Sequence, residues 1–137
     1  GEDMEEKAGA EQFAALMQLV ATLRGENGCP WDRAQTPASM KKYLLEECQE
    51  LIEAIDSGDA AAVREEGGDL LFILIMLVQI FAEDKIFTMQ SVCEDVYAKM
   101  VRRHPHVFAG AKVHSEEELM RQWEKIKAEE KKHEYLR

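Results

Sequence analysis

Two short acidic motifs, Glu46-Glu47-x-x-Glu50 and Glu66-x-x-Asp69, are the residues of this chain best suited to chemistry. Residues three apart are neighbours on a helix surface, so Glu47 with Glu50, and Glu66 with Asp69, each present two carboxylates side by side. Such spacing alone is commonly a solvated helix face. Two features point further. The positions four residues on are Leu51, Ala54, Leu70 and Ile73, so no lysine or arginine there neutralises either pair. Asp69 also opens directly into the longest apolar run of the chain, Leu70 to Val78. Carboxylates clustered there repel one another and lose solvation, and a hard divalent cation relieves both costs. All-oxygen ligands suit Mg²⁺, with Mn²⁺ as the alternative, rather than zinc, and Mg²⁺ usually comes with a phosphate substrate. Gly67 and Gly68, between the two acids, each cost a helix about 1 kcal/mol relative to Ala. They make sense if something approaches the helix backbone there.

A phosphate also needs cations. Lys99, Arg102 and Arg103 gather three positive charges just before His104-Pro105-His106. Lys99 and Arg103 share a helix face, and each arginine can fork onto phosphate oxygens. The plainer reading is charge complementing a helix C-terminus. Asp and Glu number 27 against 17 for Lys and Arg, a formal net charge of −10, so the basic cluster stands out. The same balance argues against coating a nucleic-acid backbone.

The elements that must position these groups read as helices. Phe13, Leu16, Met17, Val20 and Leu23 recur at three and four residues within a first helix of about 5–24, with Gly25 at its stop. Thr36 and Pro37 suit the cap and first turn of a second helix reaching Ser57, with Gly58 ending it. Its apolar stripe is Leu44, Leu45, Cys48, Leu51, Ile52 and Ile55. A third helix spans about 60–83. It is apolar on every side from Leu70 onward, which predicts a central, buried position. The two-residue link Gly58-Asp59 makes the second and third helices antiparallel neighbours, so the acidic pairs can face each other. A fourth helix follows Thr88 and ends before Pro105, and Ser115 with Glu118 opens a charged last helix as a capping box. No stretch alternates with period two. The fold class is all-α, a bundle of four to five helices in a single domain, 1–137.

Gly28-Cys29-Pro30-Trp31-Asp32, Gln35-Thr36, the two acidic motifs and Arg102-Arg103-His104-Pro105-His106-Val107-Phe108 together resemble the MazG-type nucleoside triphosphate pyrophosphohydrolases, in order and over nearly the whole chain. The resemblance implies an α-helical, Mg²⁺-dependent dimer that cleaves nucleoside triphosphates to a monophosphate and pyrophosphate. It implies Glu47, Glu50, Glu66 and Asp69 as metal ligands, with Glu46, Glu47 and Glu50 as candidates to accept a proton from water. Lys99, Arg102 and Arg103 match the segment that holds the triphosphate, and Trp123 matches an aromatic that stacks on a base. Trp31 is a further candidate for base or sugar contact, against a packing role. Gly67 departs from the pattern, where a larger residue is expected. Cys29 and Cys48 read as small packing residues, and His104 and His106 as shaping the turn. The alternatives are a relative restricted to dUTP, dCTP or phosphoribosyl-ATP, and a non-catalytic module that binds metal for structure.

Three cysteines without a C-x-x-C pair fit a reducing cytoplasm. Gly1 to Lys7 is acidic and no apolar stretch follows it closely, so no secretory signal is expected. The longest apolar run falls short of the roughly 18 residues needed to cross a bilayer. Three residues precede the first methionine, Met4, which fits an added leader or a piece of a longer chain. The apolar third helix and the stripe on the first exceed what a few short helices cover, which predicts a homodimer whose site draws on both subunits.

Overall fold

A computed structural model of the chain describes residues 1–135. Among the described residues the protein is all-α, with seven helices and no strand: α1 (Glu2–Leu23), α2 (Pro30–Ala34), α3 (Pro37–Ser57), α4 (Ala60–Glu83), α5 (Met89–Arg103), α6 (Pro105–Phe108) and α7 (Glu116–Tyr135). The expected four to five helices are therefore too few. The two extra ones, α2 and α6, are single turns that each open on a proline, Pro30 and Pro105. Proline ends the element before it, yet its fixed φ and missing N–H suit the first turn of the next.

The helices fall into two compact units, Gly1–Met89 and a second one beginning at Gln90. In the first unit α4 packs against both α3 and α1. The core is Val20 of α1, Met40 of α3, and Ile73, Ile75, Met76 and Ile80 of α4, with Phe13, Leu16, Met17, Tyr43 and Leu44 against it. The central position expected of α4 holds, with one flank uncovered: Leu71 and Leu74 remain 38% and 45% exposed. The stripe expected on α3 divides as well. Leu44 packs on the core, while Leu45, Cys48, Ile52 and Ile55 face solvent, and Met40 and Ala54 are buried instead. The apolar band is wider than the side that α4 can cover.

The link between α3 and α4 is built as its sequence suggests. Gly58 takes the left-handed conformation (φ 73°) that ends α3, and Asp59 Oδ1 accepts the Ala61 N–H at 3.0 Å to open α4. Thr36 and Ser39 exchange side-chain and backbone hydrogen bonds at 3.1 and 2.9 Å, a reciprocal cap for α3. After α1 the chain turns back so tightly that the Cys29 N–H donates to Leu23 O at 2.8 Å. A Cβ on Gly28 would sit 2.1 Å from that oxygen, so only glycine fits. Arg24, its side chain only 8% exposed, ties the loop down. It donates to the carbonyls of Asp32 and Gln35 at 2.5 and 3.2 Å and pairs with Glu83 at 2.9 Å.

In the second unit no residue of α5 or α6 is buried. Ser115 Oγ caps α7 by accepting the Glu118 N–H at 3.1 Å, while Glu118 Oε2 reaches past Ser115 to the N–H of His114 at 2.7 Å. No described helix is long and apolar enough to cross a membrane.

Candidate metal centre and phosphate site

The antiparallel α3–α4 pair brings Glu47, Glu50, Glu66 and Asp69 together, with one ligand oxygen from each within 4.8 Å of the others. Glu47 and Glu66 are half-buried; Glu50 and Asp69 stand open to solvent. Burial first, and then contact with the Glu50 carboxyl, pushes both inner acids up, Glu66 to about 7. The charge of Asp69 adds to both shifts. Glu47 Oε2 and Glu66 Oε2 are buried and accept no hydrogen bond. Buried carboxylate oxygens without a donor are costly, and a hard cation is the partner that this all-oxygen donor set fits. Glu46 is exposed and stays outside the four, adding only its charge to Glu47. A Cβ on Gly67 or Gly68 would meet nothing within 4 Å, so α4 is open on both glycine faces beside the acids.

Trp31 lies near the other end of α3. Its ring meets Tyr43, one turn before Glu47, nearly edge-on at 5.4 Å, and the Lys42 ammonium stands 5.0 Å from the Tyr43 centroid. The Trp31 backbone is held by the half-turn's own polar network. Gln35, itself buried, donates from Nε2 to Trp31 O at 2.9 Å and accepts from Ser39 Oγ at 2.7 Å. The indole itself is 45% exposed.

The basic segment belongs to the second unit. Arg102 and Arg103 converge on one carboxylate, Glu130 of α7. Arg102 Nε donates to Oε2 at 2.6 Å, and Arg103 donates to Oε1 from Nη2 at 2.8 Å and from Nε at 3.2 Å. These hydrogen bonds, Arg103's first, hold the Glu130 carboxyl below its ordinary value against the opposing effect of burial. The Arg103 guanidinium also lies 5.1 Å from the centroid of Trp123, which His104 meets nearly edge-on at 5.5 Å. One face of Trp123 is thus taken by Arg103, and a stacked base would need the other. Lys99 is half-buried one turn before Arg103. His104 Nδ1 contacts Met100 O at 2.5 Å and His106 Nδ1 contacts Gln122 Nε2 at 3.1 Å, so both rings are engaged in the turn. Nothing in the amino-acid sequence singles out Glu130 among the acids of α7. It lies seven residues after Trp123, two turns along one face of α7.

Residues 35–108, more than half of the chain, match the family model of the MazG nucleotide pyrophosphohydrolase domain. The chain is 45% identical over 127 residues to YabN of Bacillus subtilis, covering 93% of this chain and 26% of that protein. It is 44% identical over 119 residues to the nucleoside triphosphate pyrophosphohydrolase/pyrophosphatase MazG of Thermotoga maritima, covering 87% of this chain and 45% of that one. With the nucleoside triphosphate pyrophosphohydrolase of Escherichia coli K12 it shares 40% identity over 121 residues, 88% of this chain and 46% of the other. The chain therefore spans less than half the length of these three relatives. The crystal structure of a MazG-related protein from Thermotoga maritima superposes with a TM-score of 0.70 at 26% identity, covering 86% of this chain and 98% of that one. With its helical fold, its facing acidic pairs and these matches, the chain belongs to the MazG nucleotide pyrophosphohydrolase family.

Proposed function

We propose that this protein hydrolyses nucleoside triphosphates to a nucleoside monophosphate and pyrophosphate in a Mg²⁺-dependent reaction, which in a cell would clear non-canonical nucleotides. The observation that carries this reading is the convergence of four carboxylates, two of them with buried oxygens that accept no hydrogen bond. Glu47, Glu50, Glu66 and Asp69 would hold the cation. Bound there, Mg²⁺ (or Mn²⁺) supplies charge to polarise a phosphoryl group and to acidify water. Water adds to the α-phosphorus, the bond from that phosphorus to the bridging oxygen breaks, and pyrophosphate leaves with the bond's electrons. A carboxylate takes the proton of that water. Glu46, Glu47 and Glu50 are the candidates, and Glu46, outside the ligand set, keeps both its oxygens for the task. Lys99, Arg102 and Arg103 bind the triphosphate and steady the charge on the departing pyrophosphate. Trp123 and the exposed Trp31 are offered as contacts for base or sugar.

The family match, 35–108, begins in the first compact unit and reaches into the second, which supports reading 1–137 as one MazG domain. The uncovered stripes on α3 and α4 support a homodimer. Three free cysteines suit a reducing cytoplasm. Pyrophosphate release from the eight common ribo- and deoxyribonucleoside triphosphates, with Mg²⁺ and with a chelator, tests the activity. Release from one nucleotide alone would make the protein a specific relative. No release from any would overturn the reading in favour of a non-catalytic metal-binding module.

A further inference from the structure

We infer that Glu130 is a positioning residue for the triphosphate site, holding the Arg103 guanidinium over Trp123 with its Nη1 donors left for an anion. This rests on the proposed role of Arg103 in phosphate binding.

The geometry is a three-part clamp. Trp123 and Glu130 stand seven residues apart on α7, and Arg103 of α5 reaches both: its cation lies over the indole while its Nε and Nη2 donate to the carboxylate. A guanidinium is planar and rigid, so a carboxylate held by two of its nitrogens fixes its orientation, and the cation–ring contact helps to fix its position. The pair is largely shielded, with 18% and 17% of the two side chains exposed, so water competes weakly for it. Glu130 draws Arg102 onto its second oxygen as well, at 2.6 Å. Two adjacent arginines would otherwise repel each other; here a single carboxylate gathers both, in a cavity that Glu129 and Glu134 also line. The contacts to Glu130 use the Nε side of each guanidinium, and the donors of Arg103 Nη1 point away from that edge. A fork fixed in this way loses little side-chain entropy when an anion arrives. The contrary design, in which Glu130 occupies the site as a stand-in for phosphate and must be displaced, predicts the opposite sign of effect.

The experiment uses ATP and dTTP as substrates and inorganic pyrophosphate as a binding probe, with Glu130→Gln, Glu130→Asp, Arg103→Ala and the double variant Glu130→Gln/Arg103→Ala. A parallel set in a Trp31→Phe background leaves Trp123 as the one fluorescent tryptophan. Glu130→Gln should raise KM for both substrates and weaken pyrophosphate binding about tenfold, the size of one lost charge-assisted contact. It should also alter Trp123 fluorescence as the cation leaves the ring. Glu130→Asp should recover part of the affinity, and in the Arg103→Ala background Glu130→Gln should add little, because both variants remove the same oriented fork. A lower KM in Glu130→Gln would make the carboxylate a competitor and overturn the proposal. So would an unchanged KM alongside an impaired Arg103→Ala, whatever the melting temperature does. If Arg103→Ala itself leaves KM and pyrophosphate binding unchanged, the phosphate site falls, and this inference with it.

Discussion

At the scale of single residues, the acidic cluster sets up two opposed demands on proton and metal. Glu66 titrates near 7 in the metal-free protein, whereas in the unfolded chain it would titrate at the ordinary carboxylate value of 4.5. The folded form thus holds the proton more tightly. Stability from that proton is fully present below pH 4.5 and is lost as pH rises through about 7. The ionised cluster is the form that takes a cation, so Mg²⁺ should raise the melting temperature more at pH 8 than at pH 5, releasing protons near pH 6 to 7. Melting curves across this range with Mg²⁺ or a chelator check both signs. A metal-free protein that grows more stable from pH 5 to 8 would contradict them. Asp69→Asn removes one of the charges that push Glu47 and Glu66 up. It should therefore flatten that pH dependence and leave the metal-free protein at least as stable. Hydrolysis should fall by on the order of a hundredfold or more, because a charged ligand is lost. A variant equally destabilised with and without Mg²⁺, yet still active, would make Asp69 a structural residue.

At the scale of elements, α4 carries two glycines in mid-helix with nothing within 4 Å of a Cβ at either position. Alanine should then be a gain of up to about 1 kcal/mol in each case from helix propensity alone. The two positions differ in where they face. Gly67, four before Leu71 and seven before Leu74, lies in line with the uncovered stripe; Gly68, three before Leu71, lies at its edge. Gly68→Ala should raise the urea midpoint, while Gly67→Ala should gain less or lose, because a partner helix lying on the stripe would meet the new methyl group. Equal gains at both positions would count against close approach there. The helices that carry the site are legible in the amino-acid sequence, since 3.6-residue periodicity and local caps mark α1, α3, α4, α5 and α7. The acidic pairing follows from the short Gly58-Asp59 link, because a tight turn leaves two long helices little choice but to lie antiparallel. The short α2 and α6 are not legible, since a single turn has no periodicity to read and Pro30 and Pro105 signal breaks as strongly as starts. Glu130 is hidden for a related reason. Its partners Arg102 and Arg103 are 28 and 27 residues away, and an acid on a charged helix carries no mark of which base it will meet.

At the scale of the whole molecule, the first unit leaves aligned rows of apolar side chains uncovered. Leu45, Ile52 and Ile55 on α3 are 69%, 57% and 57% exposed, and with Cys48 they recur at three and four residues along one face. Leu71 and Leu74 form a second uncovered stripe on α4, the helix packed beside it. Scattered surface leucines need no explanation, but aligned rows on neighbouring helices mark an interaction surface. A second copy of the chain is the occupant consistent with the expected homodimer, and a stable interface of this kind buries about 1,200 Å² or more. Leu45→Asp combined with Leu74→Asp should therefore leave the single chain folded, since both positions already face water, and should yield a helical monomer by light scattering at micromolar concentration. Wild type should scatter as a dimer, with a melting temperature that rises with protein concentration. All four carboxylates of the proposed metal site come from one chain, so the monomeric variant should still gain stability from Mg²⁺. If turnover nevertheless collapses in it, the partner completes the substrate site; if turnover survives, the site is whole in one subunit. A wild-type chain that is monomeric and well folded at micromolar concentration would remove the dimer, and the uncovered rows on α3 and α4 would need another partner.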